Sequence, residues 1–178
     1  MLCSVTILSK VKRVAIASIF SVLMFVYKMV LMVLPTPIDK MFIFIQALLF
    51  AISSLMLGRM GATYVATISG LLVTIWRPAF APFSLLFSIM YGILIDIFFY
   101  LFKVKMPHGG VKTNRTILSL TVSTAMIGSI ALYVTFMISL IPISPILHFS
   151  VIVLGTINGA VAGYLTSFIW NRYLRHRS

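Results

Sequence analysis

The sequence predicts an all-α integral membrane protein: six transmembrane helices, one domain over residues 1–178, both termini in the cytoplasm. Three observations predict it. The chain is 61% hydrophobic and 9% charged, with a mean hydropathy of +1.15, whereas a soluble domain carries roughly 25% charged residues to cover its surface. Six apolar runs approach the ~20 residues that cross a hydrocarbon core, with proline and glycine between them. The basic residues gather in alternate gaps, as orientation in a membrane requires.

The runs follow in order at about 14–34, 41–57, 60–76, 80–102, 116–140 and 146–171. Pro35-Thr36-Pro37 stops the first. The second ends before Gly58-Arg59, the third at Arg77-Pro78 and the fourth at Lys103 and Lys105. Pro142 and Pro145 close the fifth, and Arg172, Arg175 and Arg177 follow the sixth. Lipid offers no partner for backbone polar groups, so each run is expected to be helical. The second and third are short for a full span, and the tight Gly58-Arg59-Met60-Gly61 turn suggests a helical hairpin. The first run is too long for a signal-peptide core of ~7–15 residues and is expected to be a retained helix.

The net charge of +12 comes from 14 basic and 2 acidic residues. With the N-terminus inside, eleven basic residues fall on the cytoplasmic side: Lys10, Lys12, Arg13, Arg59, Lys103, Lys105, Lys112, Arg115, Arg172, Arg175 and Arg177. Lys40 and Arg77 fall outside, and Lys28 lies within the first helix. This split predicts a multi-pass protein of the cell membrane, in contact with lipid. No basic face exists outside the loops, so nucleic-acid binding is not expected. The single cysteine, Cys3, excludes an internal disulfide and a cysteine-cluster metal site.

Small residues recur at four-residue spacing, which lets membrane helices approach closely. The sixth helix carries Gly155, Gly159 and Gly163, and the fifth Thr121, Ala125 and Ser129. The third carries Ala62, Ala66 and Gly70, the second Ala47 and Ala51, the first Ala17 and Ser21. These stripes either pack inside the bundle or, on helices one to three, meet another membrane protein.

Ionisable and amide groups at depth are costly and point to function. Lys28 either snorkels to the outer interface or faces a cavity, where it would meet an anionic or carbonyl group. Asp96 is expected to pair with Arg59 or another base on the cytoplasmic side. His148 opens the sixth helix, as an interfacial residue or a ligand contact. Asn158, mid-helix, either links helices or binds a solute. Aromatic belts account for Trp76, whereas Tyr91 and Tyr133 lie deeper and suit stacking on a planar ligand.

Catalytic signatures are missing. Gly109-Gly110-Val111-Lys112-Thr113 lacks the spacing of a phosphate-binding loop, and no H-E-x-x-H or G-x-S-x-G occurs. Asp39 and Asp96 fall on opposite sides of the membrane and cannot act as a carboxylate pair. The chain is therefore not expected to be an enzyme or to carry a cofactor. It also lacks the length and duplication of a typical secondary transporter.

Several stretches together are similar to a known group: Arg13 leading into VAIASIFSVLMFVYKMV, the Pro35-Thr36-Pro37 loop, LGRMGATYVATISGLLVTI, and GILIDIFFY in the fourth helix. With six short helices in about 180 residues, the chain resembles the substrate-binding (S) components of energy-coupling factor transporters. The resemblance covers most of the chain and is one of pattern. It implies capture of a vitamin or similar micronutrient at the outer face, with a coupling transmembrane subunit and two ATPase subunits supplying the work. It implies a coupling contact at Ala17 and Ser21, where the family's A-x-x-x-A pattern has a serine second. It also implies a ligand site near Tyr91, Tyr133, His148 and Asn158. A structural or assembly membrane protein without a solute is the rival expectation.

Overall fold

The computed structural model describes residues 2–33, 42–58, 60–76, 78, 81–104 and 110–174. Among the described residues six α-helices form: α1 (Leu2–Val33), α2 (Ile43–Leu57), α3 (Gly61–Trp76), α4 (Ala81–Leu101), α5 (Thr113–Met137) and α6 (Pro145–Ile169). A π-helical turn, Trp170–Leu174, continues α6. Among the described residues four helices are long and apolar enough to cross a membrane, with spans Val11–Leu31, Pro82–Leu101, Thr113–Met137 and His148–Leu174. The remaining two, α2 and α3, have 15 and 16 residues, so each is only about 22–24 Å long.

One boundary differs markedly from the apolar pattern. Helix α1 begins at Leu2, well before Val14, and takes Lys10, Lys12 and Arg13 into its length. No glycine or proline interrupts residues 2–33, and lysine and arginine are good helix formers. Hydropathy marked the span and not the helix.

Helix α2 is the hub. It packs against each of the other five helices, which follow one another around it in the order α1, α3, α4, α5, α6. Its own composition suits an enclosed position: Ala47, Phe50, Ala51 and Ser53 are fully buried. Ser53 bonds to the Phe50 carbonyl at 2.8 Å, so its hydroxyl needs no partner from another helix.

The α2–α3 hairpin turns within three residues. Gly58 takes φ +78° and Met60 φ +65°, and Gly61 N–H donates to the Gly58 carbonyl at 3.0 Å. A Cβ at Gly61 would lie 2.6 Å from the Ser53 carbonyl oxygen. Glycine is therefore required where the two helices separate.

Close approach also governs the two main helix pairs. On α6, a Cβ at Gly155, Gly159 or Gly163 would lie 3.2, 2.6 or 2.5 Å from the Cα of Ala125, Thr121 or Ile117 on α5. The three glycines thus lock an antiparallel pair over two turns. On α4, a Cβ at Gly92 would meet Ala66 Cβ at 2.7 Å and the Ala62 carbonyl oxygen at 2.8 Å.

The end of the bundle that carries Lys103, Lys112, Arg115 and Arg172 is also closed by main-chain bonds. Helix α4 ends with Val104 N–H on the Phe99 carbonyl and Lys103 N–H on the Tyr100 carbonyl, both 3.2 Å, with Lys103 at φ +45°. This is a Schellman ending in which lysine takes the place usual for glycine. Beyond it, Lys112 N–H reaches the Val104 carbonyl at 3.3 Å. The Asn171 side chain accepts from Val111 N–H and donates to the Val111 carbonyl, each at 3.0 Å. Val104, Val111 and Trp170 are buried in the same apolar core as Phe99 and Leu57.

Candidate functional site

Lys28 turns into the bundle. It is half-buried, and its ammonium donates to Ser88 Oγ on α4 at 3.2 Å. Ser88 in turn donates to the Ala66 carbonyl on α3 at 3.0 Å. A polar chain therefore runs α1–α4–α3, one turn beyond the buried Met24. Beside it, the Tyr27 hydroxyl donates to the Phe42 carbonyl and ties α1 to the start of α2. Sequence reasoning singled out Lys28 and missed Ser88. Its signal was position: Ser88 precedes Gly92 by four residues and Tyr91 by three, on the inward side of α4.

Tyr91 is buried and committed to packing. Its hydroxyl lies 3.0 Å from Thr124 Oγ1 on α5. Thr124 donates to its own Leu120 carbonyl at 2.7 Å, which leaves the tyrosine as donor to Thr124. The ring meets Phe50 of α2 edge-on, with centroids 5.6 Å apart. The residue joins three helices.

The other ligand candidates do not converge on Lys28. Tyr133 is 56% exposed, and His148 is exposed at the start of α6. Asn158 is buried, and its amide donates to the Leu154 carbonyl one turn back at 2.9 Å. Lys28 reaches α4 at Ser88, three residues before Tyr91.

The small-residue positions are enclosed within the bundle. Ala17, Ser21, Ala62 and Ala66 are all buried. Ser21 bonds to the Ala17 carbonyl at 2.7 Å, and Ala62 and Ala66 receive Gly92. Their burial fits the internal-packing use of such stripes. The exposed face of α1 carries the larger residues Ile19, Val22 and Val26 together with Ala15 and Ser18.

Asp96 has a partner of a different kind from the expected base. Its Oδ1 accepts from Ser54 Oγ at 2.6 Å and Ala62 N–H at 3.3 Å. Its Oδ2 accepts from Thr63 N–H at 2.8 Å and Thr63 Oγ1 at 2.7 Å. Arg59 lies outside the described residues. A carboxylate from α4 thus caps the first turn of α3, where free N–H groups and the positive end of the helix dipole favour an anion. Asp96 lies five residues before the end of α4, so the capped turn of α3 is held at a level about 7–8 Å inward of that end.

Among the described residues, no three His, Cys, Asp or Glu side chains come together as a metal site would require. Comparison with protein-family models, curated proteins and solved structures found no match.

Proposed function

We propose that the chain is a multi-pass protein of the cell membrane that captures a vitamin or related micronutrient at its outer face. In this reading it serves an energy-coupling factor type importer, with both termini cytoplasmic and all six helices crossing or entering the bilayer. A separate coupling subunit and two ATPase subunits would supply the work, and the chain itself would be neither an ATPase nor an enzyme. The observation that carries the reading is Lys28. An amine held inward on Ser88 is a costly arrangement that a bound anionic or carbonyl group would repay. The enclosed Ala17 and Ser21 leave the larger residues Ile19, Val22 and Val26 to meet a coupling subunit. The test is equilibrium binding of B-vitamins and their precursors to the purified protein. Absence of binding across that whole set would overturn the reading.

A structural or assembly role without a solute is the second reading. It is favoured by the commitment of Tyr91 and the four small residues to internal packing and by the exposure of Tyr133.

A further inference from the structure

A cleft of about 300 Å³ opens at the basic end, between the start of α5 and the end of α6. Its walls are Thr113, Tyr164, Ser167, Phe168, Asn171 and Arg172. Tyr164 and Phe168 stack one turn apart, with centroids 6.4 Å from each other. The Arg172 guanidinium carbon lies 5.5 Å from the centre of the Phe168 ring and 5.8 Å from that of Tyr173. Three side chains at four-residue spacing thus form a ladder, apolar at one end and cationic at the other.

Charge decides what the ladder suits. The chain has 14 basic and 2 acidic residues. Of the two acids, Asp96 is occupied by Ser54, Ala62 and Thr63, and Asp39 lies outside the described residues. Arg172, with Lys112 and Arg115 at the same end, therefore gathers positive charge that Asp96 does not balance. The two rings steady the guanidinium group by cation–π attraction, and guanidinium N–H groups suit a phosphate. Thr113 adds a polar residue to the lining. Tyr164 and Phe168 are 57% and 42% exposed and continue the site along the apolar length of α6.

We propose that this cleft binds an anionic phospholipid, the phosphate on Arg172 and an acyl chain along Phe168 and Tyr164. Basic pockets between membrane helices are known to take such headgroups. The proposal does not depend on solute capture.

The test is native mass spectrometry of the detergent-purified chain titrated with dioleoyl phosphatidylglycerol, dioleoyl phosphatidylcholine or inorganic phosphate. Phosphatidylglycerol should bind more tightly than phosphatidylcholine. Arg172→Gln should weaken it by about fivefold, as expected for one basic side chain at an anionic headgroup. Lys12→Gln, on exposed α1, should change it by less than about twofold by the same measure, and millimolar inorganic phosphate should not displace it. Unfolding midpoints of both variants should match the parent, since both side chains are exposed. Equal affinity for the two lipids, no effect of Arg172→Gln, an equal effect of Lys12→Gln, or displacement by phosphate would each overturn the proposal.

Discussion

The carboxylate of Asp96 accepts both the backbone N–H and the side-chain hydroxyl of Thr63, at 2.8 and 2.7 Å. One charged group thereby holds the start of α3 to the flank of α4. Asp96→Ala would leave Ala62 and Thr63 N–H groups without their acceptor. Loss of about 2–3 kcal/mol is expected, because bonds to a charged group contribute about 1.5–3 kcal/mol. Asp96→Asn should also destabilise, since its NH₂ must face donors. Unfolding midpoints in detergent decide the matter, and an unchanged midpoint for Asp96→Ala would remove the capping role.

The glycines of α6 and α5 should respond differently to the same substitution. Gly159→Ala places a methyl 2.6 Å from the Thr121 backbone, which cannot move aside alone. It should destabilise by about 1–3 kcal/mol through overpacking. Gly128→Ala meets Val151 Cγ1 at 3.1 Å, the tip of a side chain. There the gain in helix propensity, about 1 kcal/mol, should offset the contact. Similar losses at both sites would show that backbone approach is not what α6 selects for.

Lys103 and Met60 both occupy the left-handed region, which costs a side-chain-bearing residue roughly 1–2 kcal/mol. Lys103→Gly and Met60→Gly should each stabilise the protein by about 1 kcal/mol. Chemical or thermal unfolding of the two single variants and the double variant would check this. The double variant shows how far the two effects add.

Lys28→Met tests solute capture and packing at once. Removing a half-buried ammonium that donates to Ser88 should raise the unfolding midpoint or leave it unchanged. If Lys28 is kept for a ligand, the same variant should lose vitamin binding. A lowered midpoint together with intact binding would assign Lys28 to the scaffold.

Tyr91→Phe should cost about 0.5–1.5 kcal/mol, the contribution of one buried hydrogen bond. It should leave solute affinity where it was, because the hydroxyl is spent on Thr124. A marked drop in affinity without loss of stability would return Tyr91 to the ligand.

The helices and the hairpin were legible because apolar runs, glycines and prolines are written in residue types. The start of α1 was not, since a helix beyond the apolar run leaves no hydropathy signal. Asp96 was legible as an ionisable group on the inner half of α4, but its partner was sought among bases. Its partners include two backbone N–H groups, which no residue type announces. Tyr91 and Tyr133 were alike in sequence and differ in rotation about the helix axis. An almost uniformly apolar helix gives little indication of which side faces inward. The same limit applies to Asn158, whose amide turns back onto its own helix.

The central place of α2 has a consequence for biogenesis. Helix α2 makes extensive contacts with α6, which follows it in the chain by more than eighty residues. While only α1 to α4 have emerged, the side of α2 that meets α6 has no protein against it. The hub is therefore enclosed only when the α5–α6 pair arrives, and truncation before α6 should leave a nascent chain that the cell's quality-control machinery recognises as unfinished.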